Sequence, residues 1–595
     1  MKLFKKAWKA LRYLKHYGIR ATLKKTWKVL FRKIELVEHY RPEDLAAQKE
    51  KTFDRDIKIS VLVPLYNTPI KFLNEMIASV QAQTYSNWEL CLADGSDSEH
   101  GEVGREVARL ANVDSRIVYR KLEKNLGISE NTNACIEMAT GDYLALFDHD
   151  DLLHPAALYE VMCAICEKGA DFIYTDEAVF ESPKIKKIIA AHYKPDYGID
   201  TLRSVNYICH LSVFSKELQE KVGGFRQEFD GSQDHDMILR LTEQANCIVH
   251  IPRVLYYWRS HAASVASGIG AKRYAIKAGQ NAVLESVRRA GMNATVESTE
   301  GMETFYHVRY EIPAKEKVSI IIPTKNHCAD LKKCVNSILQ KTTYQNFEII
   351  IVDNGSDEEA IHQYYKTLEG DARIKVCMYD APFNYPKVNN FGISHASGAY
   401  YLLLNNDIEI ITPEWIEEML MFVQREDVGA AGAMLYYDND TVQHAGVLIG
   451  IGNYAGHAFK GFRTSDAHSL GRLHHAQEYS AVTAACMLVK ASVYQEVGGL
   501  DDSFAVACND VDLCLRIRQA GYLIVWTPFA KAYHYESKTR GYEDTPEKKK
   551  RFESELARFR ARWADFLLQG DPYYNKNLTL DREDFTVRDD LPKQK

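Results

Sequence analysis

The sequence has no run of about 18 uninterrupted apolar residues, the length that a membrane-spanning helix requires. Its N-terminus also lacks the apolar core and the small-residue cleavage site of a signal peptide. We therefore expect neither an integral-membrane nor a secreted protein, and place the chain in the cytoplasm.

A cysteine cluster that could bind a metal is also missing. The 12 cysteines lie almost all in apolar stretches, and none belongs to a cluster with the spacing of metal ligands. The one close pair, Cys163 and Cys166, has no second pair or histidine at zinc spacing. We therefore expect reduced cysteines that pack in the core.

Two nucleotide-binding motifs are absent. No Gly-x-Gly-x-x-Gly follows the first predicted strand, and no Gly-x-x-x-x-Gly-Lys occurs anywhere. Their absence argues against a dinucleotide dehydrogenase and a P-loop ATPase.

Acidic residues are missing from the first 34 positions, which hold 12 of the 74 Lys and Arg residues and none of the 81 Asp and Glu residues. Phe4, Trp8 and Leu11 share one helical face, and residues 19–30 repeat this pattern. Two basic amphipathic helices suit an anionic membrane surface, so we predict peripheral attachment to the inner face of the plasma membrane through residues 1–34. The alternative is that their apolar faces pack on the protein or on a partner. We expect no nucleic-acid binding, because the rest of the chain is acidic and would repel phosphate.

The chain of 595 residues is too long for one hydrophobic core, and its sequence repeats itself. Residues 57–67, an apolar strand ending in Pro-Leu-Tyr-Asn, recur as residues 316–326. Asp94-Gly-Ser-Asp recurs as Asp353-Asn-Gly-Ser-Asp, and Gln233-Asp-His-Asp recurs as Asn509-Asp-Val-Asp. We therefore predict a tandem duplication, with a leader at residues 1–50 and two domains at residues 51–312 and 313–595.

Each copy alternates apolar strands with amphipathic helices. In the first copy the pattern predicts strands at 59–64, 88–93, 116–119 and 142–147, and helices at about 70–82, 99–111 and 129–139. This alternation gives βαβ units and an α/β fold with a mostly parallel sheet, in which ligands bind at the carboxyl ends of the strands. Residues 64–67, 94–97 and 148–151 all follow strands, so we expect them to converge on one edge.

The segment Asp148-His-Asp-Asp places three carboxylates in four positions after an apolar strand. Crowded carboxylates repel one another, and a cation that prefers oxygen ligands, such as Mg²⁺ or Mn²⁺, neutralises them. The alternative is an acidic turn that caps the next helix. Asp234 and Asp236 begin another predicted helix, and either would also serve as a helix cap.

These motifs resemble those of the glycosyltransferase family 2 enzymes, which have the GT-A fold. The resemblance covers about residues 57–300 and 316–540 and implies two tandem, Rossmann-like GT-A domains. Further matches are Asn125-Leu-Gly-Ile-Ser, the Asp148 cluster as a DXD motif, Gly223-Gly-Phe, Gln443-His-Ala-Gly, Gly498-Gly-Leu-Asp and His534-Tyr-Glu-Ser. Chains of this kind resemble enzymes that assemble O-antigen, rhamnan, capsule and cell-wall glycans.

The resemblance implies a reaction and the residues that serve it. It implies inverting transfer from a UDP- or dTDP-sugar donor to a lipid-linked or polysaccharide acceptor, with Asp234 and Asp510 as the bases. The residues implied to bind the nucleotide sugar are Pro64, Tyr66, Asn67, Asp94, Asn125, Asp148, Pro323, Asn326, Asp353 and Asn405. Those implied to hold a divalent cation, Mn²⁺ or Mg²⁺, are Asp148, Asp150, His261, Asp407 and His534.

The second copy departs from this pattern. Asn405-Asn-Asp-Ile-Glu replaces the acidic cluster, which weakens the expectation of a metal there. Asp407 and Asp510 are 103 residues apart, against 84 for Asp150 and Asp234. The extra length carries four histidines, at 444, 457, 474 and 475, which we expect in acceptor-side loops because no zinc spacing appears.

Three further expectations concern the whole chain. Neither copy has the Gln-x-x-Arg-Trp motif of processive synthases, so we expect addition of one or few sugars. A helix after Thr545-Pro546 is predicted to pack internally or to form a homodimer contact. The alternatives to two active domains are one catalytic and one acceptor-binding copy, or a carbohydrate-binding scaffold. Asp234 and Asp510 argue against the scaffold, since binding needs no base.

Overall fold

The computed structural model describes residues 34, 36–183, 185, 187–261, 269–465, 471–536 and 545–594. Of the leader predicted at residues 1–50, residues 34 and 36–50 are described and include the helix Pro42–Glu50, whereas the basic segment before residue 34 lies outside the described residues. No helix among the described residues is long and apolar enough to cross a membrane. All 12 cysteines are free, seven of them buried and five partly buried, as the sequence predicts.

The first half of the chain forms a nine-stranded sheet in the order β3-β2-β1-β4-β8-β6-β9-β5, with β7 paired to β6. Strands β1 to β4 pair in parallel, β8 is antiparallel to β4 and β6, and β9 is parallel to β6. The strands are β1 Ile59–Leu65, β2 Trp88–Asp94, β3 Ile117–Lys121, β4 Tyr143–Leu146, β5 Leu152–Leu153, β6 Phe172–Glu181, β7 Ile188–His192, β8 Ser212–Ser215 and β9 Ile248–Ser260.

Helices cover this sheet, which explains why every residue of β1 and β2 is buried. The α-helices of this half are Pro42–Glu50, Ile70–Gln81, Glu102–Ala111, Ile128–Met138, Ala157–Lys168, Ile199–Ser204, Lys216–Val222, Gln233–Gln244 and Ile269–Arg289. Short 3₁₀ helices lie at Ser98–His100 and Gln227–Phe229. The predicted strands and helices between residues 59 and 147 are confirmed within two residues at most ends, because their apolar spacing is regular.

The second half repeats this architecture. Its ten-stranded sheet has the order β14-β13-β12-β15-β22-β17-β23-β16, which matches the first sheet position by position. Strand β18 pairs with β17 as β7 pairs with β6, and β21 is an additional strand paired with β23. The strands are β12 Val318–Thr324, β13 Phe347–Asp353, β14 Ile374–Met378, β15 Tyr400–Leu404, β16 Ile408–Ile410, β17 Val428–Tyr436, β18 Val442–His444, β21 Gln477–Glu478, β22 Cys486–Lys490 and β23 Leu523–His534.

Two hairpins lie outside the sheets. One, β10 Ala294–Thr299 with β11 Met302–Tyr310, lies in the connection between the halves, and the other, β19 Val447–Ile449 with β20 Ala455–His457, belongs to the longer segment of the second half. The remaining helices are Cys328–Lys341, Glu359–Leu368, Tyr385–Ile393, Trp415–Val423, Ala491–Glu496, Asn509–Gln519, Pro546–Arg562 and Ala564–Gln569, with a 3₁₀ turn at Ile451–Asn453.

The helix Pro546–Arg562 packs within the chain. Thr545 caps it by accepting a hydrogen bond from Lys548 N, and Pro546 occupies its first turn. Phe559 and Trp563 are buried in the core of the second half. The predicted internal packing of this helix is present, and the predicted homodimer contact stays a prediction.

Buried polar contacts join the two halves. Glu478 accepts hydrogen bonds from the backbone N–H groups of Asp200 and Thr201, at the start of a helix in the first half. Arg425 forms an ion pair with Asp200 at 2.6 Å. Near the C-terminus, Asn575 donates to Asp176 in the first half. The two halves are therefore connected by specific hydrogen bonds and an ion pair in addition to the chain itself.

Candidate functional site

The three strand-end segments of the first half meet at one edge of the sheet, as predicted. Asn67 N donates to Ser96 Oγ at 2.9 Å, and Asn67 Nδ2 donates to Asp97 at 2.8 Å. Thr68 Oγ1 lies 2.7 Å from His149 Nδ1, within the acidic cluster. These contacts link the ends of β1, β2 and β4 into one surface.

Asp94 and Asp353 hold the turns that follow β2 and β13. Both carboxylates are almost fully buried. Asp94 accepts from Ser96 N, Tyr119 OH and Lys121 Nζ, while Asp353 accepts from Ser356 N and Tyr365 OH. Their contacts in the structure are therefore those of the turn, and recognition of a nucleotide base stays a prediction.

The acidic cluster divides into two kinds of carboxylate. Asp148 is half-exposed, with His210 Nε2 at 3.4 Å, and Asp150 lies 2.8 Å from His261 Nε2. Asp151 is instead fully buried, and accepts from Tyr256 OH and Arg259 N at 2.6 Å each. Burial, with Asp148 and Asp150 nearby, raises the pKa of Asp151 well above its ordinary range. The expectation that all three carboxylates surround a cation is therefore wrong for Asp151, whose oxygens are engaged by the core.

His210 and Asp234 extend the first site beyond the cluster. His210 stacks on Tyr256 with ring centroids 4.7 Å apart, which holds its imidazole beside Asp148. Burial raises the pKa of Asp234 to about 6, with Asp148 adding to the rise and His210 opposing it. A carboxylate with a pKa in this range is suited to accept a proton near neutral pH.

The second half contains a cavity of about 500 Å³ at the corresponding edge of its sheet. Its lining includes five of the residues implied by the resemblance, namely Pro323, Asn405, Asp407, Asp510 and His534. The structure therefore brings together residues that are up to 211 positions apart in the sequence.

A chain of hydrogen bonds fixes His534 in this cavity. Gln443 Nε2 donates to Glu536 at 3.1 Å, which leaves Gln443 Oε1 to accept from His534 Nδ1 at 2.8 Å. With its proton on Nδ1, a neutral His534 is an acceptor at Nε2, which lies 3.2 Å from Asp407 Oδ1 and from Asn405 Nδ2. Glu536 and Gln443 thus set the tautomer of His534 from a distance.

Asp510 begins the helix Asn509–Gln519, as Asp234 lies in the first turn of its own helix. Asp510 Oδ2 accepts from Thr483 Oγ1 at 3.0 Å and from Ala484 N at 3.2 Å. Asp234 Oδ2 instead accepts from Gln233 Nε2 at 3.0 Å, so the two candidate bases have different hydrogen-bond partners.

The other implied nucleotide-binding residues lie around these two edges. Pro64 and Pro323 lie near the ends of β1 and β12, and Tyr66 is about half-exposed just beyond β1. Asn326 repeats the bonds of Asn67, since its amide donates to Asp357. Asn125 accepts from Gly127 N and Asn131 Nδ2, so its side chain shapes its own loop.

The donors present fit a small divalent cation. His534 has the arrangement of a metal-ligating histidine, because Nδ1 donates to an amide oxygen while Nε2 faces a carboxylate. Among the described residues, no three His, Cys, Asp or Glu side chains form a group with metal-ligand geometry. Two protein ligands are compatible with Mg²⁺ or Mn²⁺, since such ions are commonly held by one or two carboxylates together with waters and phosphate oxygens.

Several site residues were missed by reasoning from the sequence. His210 lies four residues after Asn206 in a stretch without periodicity, and Tyr256 lies within an apolar strand. Thr483 and Glu536 in the second half are equally ordinary in their sequence context. Gln443 carries a signal, since it opens a motif that the resemblance singles out, but the motif does not assign it a partner.

Comparison with known proteins gives the following matches. The model of the family described as Glycosyl transferase family 2 matches residues 60–217 and 319–498, one segment in each half. The uncharacterized protein y4gI of Sinorhizobium fredii is 44% identical over 536 residues, which cover 89% of this chain and 58% of that protein. The O-antigen biosynthesis protein RfbC of Myxococcus xanthus is 35% identical over 535 residues, covering 89% of this chain and 41% of that protein. The chain thus spans about half the length of these curated relatives.

Among solved structures, residues 1–349 of S. aureus TarS match at 16% identity with a TM-score of 0.30, covering 39% of this chain and 71% of that one.

Proposed function

Because the chain belongs to glycosyl transferase family 2, with two tandem GT-A domains, we propose that both domains are inverting, metal-dependent sugar transferases. The main support for the proposal is an aspartate–histidine pair that occurs once in each domain. Asp150 with His261 in the first domain, and Asp407 with His534 in the second, join the loop after the central strand to the end of the last long strand. Each pair lies at the sheet edge that also carries the start of the helix with the candidate base.

The donor that we propose is a UDP- or dTDP-sugar, and the acceptor is a lipid-linked or growing cell-surface polysaccharide. The relative from Myxococcus xanthus is named as an O-antigen biosynthesis protein, which supports an acceptor of this class. We place the protein at the inner face of the plasma membrane through its basic leader, whose 12 positive charges favour anionic lipid.

The chemistry follows from the positions of the two bases. An acceptor hydroxyl gives its proton to Asp234, or to Asp510 in the second domain, while its oxygen attacks the anomeric carbon. The bond from that carbon to the nucleoside diphosphate breaks on the opposite side, so the configuration inverts. When bound, a divalent cation held by Asp150 with His261 or Asp148, or by Asp407 with His534, would supply positive charge to the leaving diphosphate.

Product analysis of two variants of the full chain tests this proposal. Asp234→Asn and Asp510→Asn each remove a proton acceptor with little change in shape, and loss of a general base costs about 10²- to 10⁴-fold in rate. Each variant should lose one linkage and retain the other, while the exposed control Asp565→Asn should retain both. EDTA should abolish both linkages, and Mn²⁺ or Mg²⁺ should restore them.

Two results would change the assignment. If Asp510→Asn leaves all products unchanged, or if either variant eliminates both linkages, only one domain is an independent catalyst. If the unaltered chain consumes no nucleotide sugar under any of these conditions, the proposed function is wrong.

A further inference from the structure

Two consecutive residues of strand β18, Gln443 and His444, contact different histidines at the cavity of the second domain. Gln443 supports His534 on the side of the cavity where the metal ligands are proposed. The next residue, His444, is fully buried and contacts a different histidine, since its Nδ1 lies 3.0 Å from Nδ1 of His457. His457 lies at the end of the hairpin strand β20 and lines the same cavity.

The hydrogen bonds determine which nitrogen of each ring carries the proton. Thr483 N donates to His444 Nε2 at 3.5 Å, so His444 has its own proton on Nδ1. His444 Nδ1 therefore donates to His457 Nδ1, and the proton of His457 lies on Nε2. Because His444 occupies Nδ1 of His457, the Nε2–H group of His457 is available to donate a hydrogen bond to another molecule.

Burial keeps both rings neutral, as this arrangement requires. Burial lowers the pKa of His444 well below its ordinary range, with His457 and His534 adding to the effect. Burial and the nearby Lys460 lower the pKa of His457 to about 4. Neither ring takes up a second proton at neutral pH. In the chain of hydrogen bonds from Thr483 through His444 to His457, which we call the relay, each group therefore donates to the next.

The relay shares a residue with the candidate base. Thr483 donates through its backbone N–H to His444 and through its hydroxyl to Asp510. Asp510, His457 and Thr483 all line the same cavity. The metal side of the cavity is formed instead by His534 and Asp407.

We propose that His457 Nε2–H binds a hydroxyl of the acceptor sugar in the second domain, adjacent to the hydroxyl that Asp510 deprotonates. The proposal rests on the proposed transferase function and adds a specificity residue to it. His457 belongs to the segment by which the second domain exceeds the first. In the first domain His210, from the loop before β8, lies beside Asp148. Because His457 belongs to the extra length of the second domain, the proposed contact with the acceptor is specific to that domain.

Kinetic variants test this role in an Asp234→Asn background, where only the second domain transfers sugar. His457→Ala should raise the acceptor KM about 5- to 10-fold, the usual effect of one lost hydrogen bond, and leave the donor KM and donor hydrolysis by water unchanged. His457→Gln places an amide N–H near the position of Nε2 and should recover most of the loss. His444→Ala should act like His457→Ala, because it removes the group that orients His457. His395→Ala, outside the cavity in the same domain, serves as the control.

A second measurement does not depend on turnover. With ¹⁵N-labelled histidine, the NMR signals of His457 and His444, assigned from the two variants, should show His457 neutral and protonated on Nε2, and His444 neutral and protonated on Nδ1. A charged ring or the opposite tautomer of His457 would overturn the proposal. So would a His457→Ala variant that changes donor hydrolysis as much as transfer, or that changes neither. Absence of any reaction with the unaltered chain would instead count against the proposed function, and the tautomers would still decide the relay.

Discussion

Asp234 and Asp510 occupy equivalent positions in two copies of one domain but have different surroundings. Asp234 is influenced by the negative charge of Asp148 and by the imidazole of His210. Asp510 accepts hydrogen bonds from Thr483, Ala484 and its own helix at Val511 N, whereas Asp234 accepts one from Gln233. Burial beside another carboxylate disfavours the charged form of a carboxylate. For Asp234, burial and Asp148 outweigh the imidazole of His210, so the pKa of this candidate base is raised.

The first domain should show an acid limb in its pH profile. A base is inactive when protonated, so in an Asp510→Asn background kcat/KM should fall about tenfold per pH unit below the pKa of Asp234, near 6. Saturating Mn²⁺ should move this limb to lower pH, since a cation beside Asp148 favours the charged form. If the residual activity of the chain that also carries Asp234→Asn keeps the same limb, another group is titrating.

At the scale of elements, each helix that carries a candidate base is anchored by a second aspartate two residues later. Asp236 is fully buried and forms ion pairs with Arg240 and Arg226 at 2.9 and 2.5 Å. Asp512 repeats this with Arg516 at 2.8 Å, and also accepts from Trp563 Nε1 in the C-terminal helical segment. In both helices the first aspartate faces the site and the second fixes the helix to the domain.

Substitutions at the two positions should separate these roles. Asp236→Ala leaves two arginines without their buried partner and should lower the free energy of unfolding by about 3–5 kcal/mol. Asp234→Asn should lower it little, because the raised pKa means that folding disfavours the charged form that Asn replaces. Chemical denaturation of the full chain measures both. Equal losses for the two variants would show that Asp234 also anchors the helix.

At the scale of the whole molecule, the two domains are joined by buried contacts as well as by the chain that connects them. Thr201 and Asp200 in the first domain depend on Glu478 of the second for hydrogen bonds at the start of their helix. Burial, with Asp200 adding to the effect, raises the pKa of Glu478. Separating the domains would leave Glu478 and the backbone N–H groups of Asp200 and Thr201 without these partners. Experiments on the proposed activities therefore require the full chain.

The leader gives a prediction for the whole protein on a membrane. Deleting residues 1–33 removes all 12 basic side chains while keeping Leu36 and Val37, which pack against the body of the protein. Each lysine or arginine near an anionic surface contributes about 1 kcal/mol before screening, so the full chain should bind anionic vesicles, and binding should weaken steeply with salt. Co-sedimentation with anionic and neutral vesicles measures this.

Transfer to a short soluble acceptor is the matching control. It should be unchanged by the deletion, because every candidate site residue lies after position 60. If full-length and shortened protein bind vesicles equally, the leader is a packing element and the membrane attachment is wrong.

Much of the fold and part of each site are predictable from the sequence. The alternation of apolar strands and amphipathic helices predicts βαβ units, and such units place strand-end residues such as Asn67, Asp97 and His149 at one edge. The repeated motifs predict that the second copy has the same edge. These features are predictable because they depend only on the spacing of apolar and polar residues along the chain.

The tertiary structure alone decides how those residues are used. Asp151 is adjacent in sequence to Asp150, yet its oxygens are held in the core by Tyr256 and the backbone of Arg259. The relay from Thr483 through His444 to His457 joins residues up to 39 positions apart, and Glu478 reaches a helix 278 residues away. Hydrogen bonds of this kind depend on the direction and distance of two groups brought together by folding. No local sequence pattern encodes that geometry. Before the sheets and hairpins pack together, each residue contributes only to its own helix, strand or loop, and the two partners are far apart.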